Sequence, residues 1–344
     1  STHKRPVISG DTARERHMRP WRHFAAVMIA LFVLGAGLHP GTGQARAVDD
    51  PTPRFIVYYN ADVTPATHII DAGYTHVILS FVTLDGESGD PGKLVVPARL
   101  DASLAAVEKL HDAGKRVVIS FGGGDMSAED WRLAVGREAE TAAALSRFVT
   151  DHGLDGVDID FEISPTLEQG SSTRPFDGVK FLVALTRELR SALPAAATIS
   201  HAPQPPYLAP DWFGGPYLAI LKQAGDAIDW IGVQYYNNPG FQAPTEKMVV
   251  GDASDPAPTS VAGLVAGAGG FKWPIEKIVV GKPIYKEDAA TGHIPPAEAV
   301  SQIVEPLVAR YGARFGGLMG WQFSDLTADH RFWNTRIAPV LLKE

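Results

Sequence analysis

The sequence predicts a single α/β domain with the architecture of a (β/α)8 TIM barrel. Eight short runs rich in β-branched and aromatic residues follow one another from residue 55 onward, and amphipathic segments separate most of them. Eight such repeats in about 290 residues is the number that closes a barrel. Strands of nearly continuous apolar character are also typical of a parallel sheet covered by helices. An open, doubly wound sheet is the alternative that the same alternation allows.

The predicted strands are short and are distributed along the whole of this region. They comprise residues 55–59, 76–82, 116–121, 155–161, 197–202, 230–236, 277–283 and 316–323. The clearest helical patterns cover residues 101–114, 137–153, 176–193 and 296–312, and the first and last of these end on glycine, as helices often do. The weakly patterned segment 237–272 is predicted to be an extended loop with at most one short helix.

The N-terminal segment has the pattern of a secretory signal peptide. A basic stretch that ends at Arg22 precedes an apolar run over residues 24–34, and Ala45-Arg46-Ala47 matches a cleavage site. We therefore predict a signal peptide over residues 18–47, after an upstream or expression-derived segment (1–17) and before the folded domain (48–344). The protein is then expected to be secreted, to the extracellular space or the periplasm. A membrane anchor is the alternative, but the apolar run is shorter than the roughly 20 residues that a span needs.

Composition and charge exclude several classes of chemistry and partner. The 344 residues include no cysteine, which excludes a thiol nucleophile, a disulfide framework and a thiolate metal site. The chain has 31 Lys and Arg against 39 Asp and Glu. Removal of residues 1–47 takes away seven basic and two acidic side chains, which leaves 24 and 37 and a net charge of −13. Nucleic acid and an anionic membrane surface are therefore disfavoured as partners.

The fourth predicted strand carries carboxylates at every second position. Residues 155–162 read DGVDIDFE, so Asp158, Asp160 and Glu162 share one face and the apolar residues between them share the other. The apolar face is expected to pack on the helices, which turns the three acids into the barrel with Glu162 nearest its open end. Asp155 has the opposite parity and is predicted to accept structural hydrogen bonds. An outward acidic face is the alternative, but it would bury three carboxylates beneath helices.

Mutual repulsion is expected to perturb the titration of this column of acids. Neighbouring carboxylates on one strand face lie roughly 6–7 Å apart. Two like charges at that distance repel by about 2.5 kcal/mol with an effective dielectric constant near 20. We therefore predict that protons are shared and that the pKa of at least one carboxyl is raised, as general acid catalysis requires.

The motif Asp155-x-x-Asp158-x-Asp160-x-Glu162 resembles the signature of family 18 glycoside hydrolases, the chitinases and their relatives. The surrounding chain is similar to the hevamine-like branch, which comprises plant class III and bacterial chitinases. Four further segments carry this resemblance: Ser120-Phe121-Gly122-Gly123, Ala202-Pro203-Gln204-Pro205, Val233-Gln234-Tyr235-Tyr236-Asn237-Asn238, and Gly316-Gly317-Leu318-Met319 leading to Trp321. The resemblance extends from about residue 54 to residue 340 and implies a barrel that hydrolyses glycosidic bonds.

The resemblance implies a retaining, substrate-assisted mechanism. Glu162 is expected to be the general acid and base, and Asp160 to hold the N–H of the substrate's own 2-acetamido group, whose carbonyl oxygen attacks the anomeric carbon. Asp158 is expected to share a proton with Asp160, and Tyr236 to donate its hydroxyl to the acetamido oxygen. No metal and no organic cofactor is implied. The expected partner is chitin or another N-acetylglucosamine glycan, and the expected state is a monomer.

The resemblance also implies substrate contacts and backbone features. Trp321 is expected to form the floor beneath the bond that is cut, and aromatic rings suit the flat C–H faces of sugars. Core packing is the alternative role for the rings of Tyr58 and Phe81. The remaining expected substrate contacts are Tyr58, Phe81, Gln204, Gln234 and Asn237, and the expected structural positions are Asp155, Ser120, Gly122 and Gly123. Non-proline cis bonds are expected at Ser80-Phe81 and Trp321-Gln322.

Several functions remain open from the sequence. The first is an endo-acting chitinase that cuts β-1,4 bonds. The second is a hydrolase of N-glycan cores or of peptidoglycan, and the third is a non-catalytic chitin-binding lectin of the same fold. A Mg²⁺-dependent use of the three acids is chemically conceivable because hard oxygen donors suit that ion. Residues 322–330, QFSDLTADH, do not match the resemblance and are expected to line the cleft.

Overall fold

The computed structural model describes residues 50–60 and 64–343 and contains a closed barrel of eight parallel strands. The barrel closes because residues 54–57 of the first strand pair with residues 317–320 of the last. The strands are β1 (Arg54–Tyr59), β2 (His76–Val82), β3 (Arg116–Gly122), β4 (Gly156–Asp160), β5 (Thr198–His201), β6 (Trp230–Gln234), β7 (Ile278–Pro283) and β8 (Gly317–Trp321). The predicted barrel is confirmed, and the open sheet is wrong. The predicted signal peptide lies outside the described residues.

Helices cover the outside of the barrel. The α-helices are α1 (Asp101–Leu104), α2 (Val107–Asp112), α3 (Ala128–Arg132), α4 (Glu138–Asp151), α5 (Ser164–Leu167), α6 (Gly178–Ala192), α7 (Pro216–Ala224), α8 (Val261–Ala266), α9 (Pro296–Ala299), α10 (Glu305–Tyr311) and α11 (Ala328–Leu341). Short 3₁₀ turns occur at Ala66–Ile69, Gly86–Ser88, Ala98–Leu100, Pro205–Leu208, Gly225–Ala227, Ile275–Lys277 and Gly312–Arg314, and π-helical turns at Glu246–Val250 and Val300–Val304. None of the described helices is long and apolar enough to cross a membrane.

Three helical segments differ in detail from the sequence patterns. The pattern over 101–114 forms two short helices, α1 and α2. The pattern over 296–312 is interrupted by the π turn, since Pro306 has no N–H to continue regular α-helical bonding from that turn. The predicted loop 237–272 contains α8 and the other π turn, which is more helix than expected.

Two packed layers separate the interior of the barrel from its helical coat. The inner cluster includes Ile56, Ile78, Val118, Val279 and Met319, which fill the barrel centre. The outer cluster is larger and includes the apolar residues that alternate with the acids of β4. The acids of β4 therefore belong to the interior of the barrel, where the parity of the strand predicts them.

Gly122 permits the close approach of β3 and β4 at the end that bears the acids. Its φ is +115°, and an added Cβ would lie 2.2 Å from the carbonyl oxygen of Asp160 and 2.6 Å from Cζ2 of Trp131. Both neighbours are fixed, because one is backbone and the other is a fully buried ring. Only glycine fits this position without displacement of β4.

We expect Gly122→Ala to lower the free energy of unfolding by about 2–4 kcal/mol, since overpacking adds to backbone strain. Gly136→Ala is the matched control: its φ is +78°, but nothing lies within 4 Å of the added Cβ. Backbone strain alone should cost this control about 1 kcal/mol. Urea unfolding of both variants measures the difference, and equal losses would contradict the packing argument.

Candidate active site

A cleft of about 440 Å³ opens at the carboxyl ends of the strands, where barrel enzymes carry their sites. All six residues predicted to contact substrate line this cleft, together with Asp160, Glu162 and Tyr236. The lining residues are Tyr58, Asn60, Phe81, Thr83, Pro97, Arg99, Gly122, Gly124, Asp125, Asp160, Glu162, Gln204, Gln234, Tyr236, Asn237, Asn238 and Trp321. Asp158 is absent from the lining and is fully buried beneath it.

Three hydroxyl groups hold the carboxylate of Asp158. The Oη of Tyr58 and the Oγ of Ser120 donate to its Oδ2 at 2.8 Å and 2.7 Å, and the Oγ of Ser200 donates to its Oδ1 at 2.8 Å. Ser120 and Ser200 lie directly beside Asp158 in the parallel register of β3, β4 and β5. The base of the acid column is therefore a satisfied polar network, which fixes one side-chain orientation.

The structure raises the pKa values of the two lower acids of the column. Burial is the main cause for Asp158, whose pKa rises to about 6 although three hydroxyl groups oppose the rise. Burial also raises the pKa of Asp160 well above its usual range, with further contributions from the charges of Glu162 and Asp158. A raised pKa was predicted from repulsion between the acids, but repulsion contributes less to the rise than burial does. Desolvation is larger because the barrel centre excludes water.

Gln234 connects the two upper acids. Its Nε2 donates to Oδ1 of Asp160 at 2.9 Å and to the carbonyl oxygen of Ala202 at 2.8 Å, and it lies 3.4 Å from Oε1 of Glu162. A hydrogen bond between the carboxyls of Asp160 and Glu162 contributes to the raised pKa of Asp160. The amide protons of Gln234 are thus committed to the acids and to β5, although the residue lines the cleft as predicted. Its position suits orientation of the acids.

Tyr236 faces the acid column from the end of β6. The residue is only 6% exposed, and its hydroxyl makes no hydrogen bond to the described part of the chain. Burial raises the pKa of the phenol well above its usual range, and the charges of Asp160 and Glu162 add to the rise. The hydroxyl is therefore neutral at working pH and can donate a hydrogen bond to a ligand.

An aromatic cluster forms the floor of the cleft. Trp321 lies 5.9 Å from the ring of Phe81 in a tilted arrangement and 5.7 Å from the ring of Tyr58 in an edge contact. The peptide bonds Ser80-Phe81 and Trp321-Gln322 are both cis, as the resemblance implies. The hydroxyl of Tyr58 is occupied by Asp158, so this ring contributes to the acid column as well as to the floor.

The remaining predicted residues have mainly structural contacts. The Oδ1 of Asn237 accepts from the backbone N–H groups of Ala290 and Thr291 at 2.8 Å and 3.2 Å. The Oδ2 of Asp155 accepts from the N–H of Val117 at 2.6 Å and lies 2.8 Å from Nε2 of His111. Gln204 lines the cleft just before the 3₁₀ turn that follows β5.

A glycine in the β3 motif makes room for one ring of the floor. An added Cβ on Gly123 would lie 2.9 Å from the ring of Phe81, so glycine is needed where that ring packs.

Sequence reasoning missed two residues beside the acids. Ser200 occupies an inward position of β5, and the polar residue in an otherwise apolar run was the available signal. Tyr207 lies against Ser164, and their hydroxyl oxygens are 2.6 Å apart. Ser164 follows Glu162 by two positions, so this contact fixes the chain immediately after the upper acid. No pattern within the sequence joins these two distant segments.

The site has the side chains of an acid-base centre. Within residues 50–60 and 64–343, no group of three or more His, Asp or Glu side chains is arranged to hold a metal ion. Three hydroxyl groups donate to Asp158, and burial raises the pKa values of both Asp158 and Asp160. The arrangement suits proton transfer to a group bound above it.

The raised pKa of Asp158 predicts a specific dependence of stability on pH. A carboxyl whose pKa is higher in the folded protein than in the unfolded chain binds more protons when folded. Between about pH 4 and pH 6 the contribution of Asp158 to stability should therefore fall as pH rises, by on the order of 2–3 kcal/mol. Asp158→Asn removes this titration. Urea unfolding at pH 4.5 and pH 7 should show a flatter profile for the variant, whereas an unchanged profile would contradict the shift.

The fold and the site together define a barrel with carboxyl groups and an aromatic floor at the carboxyl ends of its strands, where barrel enzymes carry their sites. Residues 54–322 match the model of glycosyl hydrolases family 18, and the chain belongs to that family. It is therefore a family 18 glycoside hydrolase, as its sequence motifs predict.

Three relatives illustrate this membership. A chitinase of Enterococcus faecalis is 26% identical over 261 residues, which cover 73% of this chain and 72% of the relative. An acidic endochitinase of Punica granatum is 29% identical over 275 residues, or 74% of this chain and 80% of the relative. The crystal structure of a chitinase from Pseudoalteromonas aurantia aligns with a TM-score of 0.72 and 31% identity, over 84% of this chain and all of that one.

Proposed function

We propose that the protein is a chitinase that hydrolyses β-1,4 bonds of N-acetylglucosamine polymers with retention of configuration. The observation that carries the proposal is the column of Asp158, Asp160 and Glu162, which rises into a cleft that Tyr236 and Trp321 also line. The names of the relatives support chitin as the substrate. The cleft volume of about 440 Å³ is in the usual range for ligand sites.

The first step breaks the glycosidic bond. Glu162, at the mouth of the column, donates its proton to the glycosidic oxygen as that oxygen leaves the anomeric carbon. The carbonyl oxygen of the substrate's acetamido group bonds to the same carbon and forms an oxazolinium ion. Asp160 accepts the acetamide N–H and balances the positive charge while its own proton passes toward Asp158, whose pKa of about 6 allows it to accept one.

The second step restores the acetamido group. Water attacks the anomeric carbon and gives a proton to Glu162, the bond to the acetamido oxygen breaks, and the proton on Asp158 returns to Asp160. The hydroxyl of Tyr236 donates to that oxygen in both steps, because the phenol stays protonated. The new hydroxyl lies on the face from which the leaving group departed, so the β configuration is kept.

We also propose that the protein is secreted. The support is the basic, apolar and small-residue pattern of residues 18–47. Expression of the natural gene product and N-terminal sequencing of the protein recovered outside the cytoplasm test this proposal, and the expected mature protein begins at or near Val48. An N-terminus within or before residues 18–47 would count against cleavage.

The proposed reaction is tested by incubating the protein with chitin oligosaccharides, a high-mannose glycopeptide and peptidoglycan, and identifying the products. We expect chito-oligosaccharides to be cut fastest. Preferred cleavage of the glycopeptide or of peptidoglycan would overturn the choice of substrate while leaving the chemistry intact. Binding of oligosaccharides without cleavage of any substrate would instead indicate a lectin.

A further inference from the structure

The segment 322–330 attaches the loop after β7 to the start of α11. Thr327 caps α11 with its Oγ1, which accepts from the N–H of His330 at 3.3 Å and lies 2.6 Å from Nδ1 of the same residue. The Nε2 of His330 lies 3.0 Å from Oδ2 of Asp288 in the loop after β7. This pair is well buried, since the side chains of His330 and Asp288 are only 5% and 11% exposed.

The acceptor atoms in this chain of hydrogen bonds show which ring nitrogen of His330 carries a proton. Oδ2 of Asp288 also accepts the N–H of Tyr285 at 2.9 Å, so the carboxylate acts as an acceptor toward both neighbours. Nε2 of His330 therefore carries a proton and donates it. In the tautomer that carries its proton on Nε2, Nδ1 accepts a hydrogen bond from the hydroxyl of Thr327.

The loop that Asp288 belongs to holds two parts of the active site. The indole Nε1 of Trp321 donates to the backbone carbonyl oxygen of Asp288 at 2.9 Å. Four residues later, Gly292 lies so close to Tyr236 that an added Cβ would be 2.7 Å from its Cα. Between these points, the N–H of Asn237 donates to the carbonyl oxygen of Thr291 at 3.1 Å. The floor of the cleft and the tyrosine above the acids therefore rest on one loop.

We propose that Asp288 and His330 are positioning residues for the glycosidase reaction. Their contact ties the loop 285–292 to α11, and the loop in turn sets the position of the Trp321 indole and the Tyr236 ring. Neither residue needs to touch the sugar. The inference rests on the proposed function for its kinetic consequence, but the geometric coupling of Asp288 to Trp321 stands independently of the substrate.

Alanine variants of Asp288 and His330 test the proposal, with conservative variants as the rescue. We expect Asp288→Ala and His330→Ala to lower kcat/KM for chitotetraose by about 10–100-fold at a temperature well below their unfolding transitions, since small displacements of catalytic groups cost this much. Most of the loss should be in kcat. Asp288→Asn and His330→Gln, which can still form the contact, should recover most of the activity. Should an alanine variant fail to fold, Asp288→Ser, which is too short to reach His330, provides the same comparison.

A more exposed His–Asp pair, which joins Asp325 of this segment to His68, provides the matched control. Nδ1 of His68 lies 2.7 Å from Oδ2 of Asp325, and both side chains are exposed. Asp325→Asn should therefore leave kcat/KM within about twofold of the wild type, because exposed pairs contribute little.

The indole ¹⁵N–¹H spectrum separates this proposal from the proposed function. The Trp321 signal, assigned through Trp321→Phe, should shift in Asp288→Ala and His330→Ala and return in the conservative variants, whether or not the wild type cuts chitin. An inactive wild type with these shifts would overturn the substrate and keep the positioning role. Folded alanine variants with an unmoved Trp321 signal, or with kcat/KM within twofold of an active wild type, would overturn the positioning role.

Discussion

Replacement of Glu162 by glutamine is expected to lower kcat for chitotetraose by about 10²–10⁴-fold, the usual contribution of a positioned general acid. Glutamine has the same size and can still accept from Nε2 of Gln234, which lies 3.4 Å from Glu162. The variant should therefore fold normally and bind oligosaccharide. It cannot protonate the glycosidic oxygen or accept a proton from water. Steady-state kinetics with calorimetric binding measure both properties.

Glu129→Gln is the matched control for this experiment. Glu129 lies on α3, just after β3, and its side chain is 75% exposed. The control makes the same side-chain replacement at an exposed position, without touching the acid column. We expect its kcat to equal that of the wild type within error. Activity of Glu162→Gln close to that of Glu129→Gln would show that another group supplies the proton.

Replacement of Asp160 by alanine is expected to lower kcat by roughly 10²–10³-fold, as the loss of a preorganised electrostatic partner of the transition state does. Asp160 sits between Glu162 and Asp158 and accepts from Gln234 at 2.9 Å. In the proposed reaction, its removal takes away the acceptor for the acetamide N–H and the charge that balances the oxazolinium ion. It also leaves Gln234 without one of its partners.

Asp160→Asn distinguishes the two roles of this residue. Asparagine retains an oxygen that can accept the acetamide N–H, but it cannot ionise, so positioning survives and charge balance does not. We expect an intermediate kcat and a nearly unchanged KM. Single-turnover measurements on both variants make the comparison, because they report the chemical step. A loss confined to KM would mean that Asp160 only binds substrate.

The sequence was sufficient for the barrel and for the burial of two acids inside it, for identifiable physical reasons. Eight apolar runs separated by helical segments leave few architectures, and strict alternation along β4 assigns Asp158 and Asp160 to the interior. The barrel and the inward orientation of these two acids both follow from local periodicity alone. The cis bonds at Ser80-Phe81 and Trp321-Gln322 followed from the family resemblance, and the structure contains both.

Features that depend on contacts between distant segments could not be predicted. The pair of Asp288 and His330 joins positions 42 residues apart, and the motif QFSDLTADH gave no indication of its partner. The hydrogen bonds that commit Gln234 to the acids likewise depend on the approach of β6 to β4 and β5. Burial raises the pKa values of Asp158 and Asp160 more than charge repulsion does. This order could not be predicted, because periodicity does not show how deeply the acids are buried.

In the proposed reaction the substrate's acetamido group forms the bond to the anomeric carbon while Glu162 transfers the protons. Proton NMR of chitotetraose during its first minutes of hydrolysis tests this step, because it resolves the anomer released before mutarotation. The β-anomer of the new reducing end should appear first. Initial release of the α-anomer would contradict the proposed reaction, since water would then have displaced the leaving group directly from the opposite face.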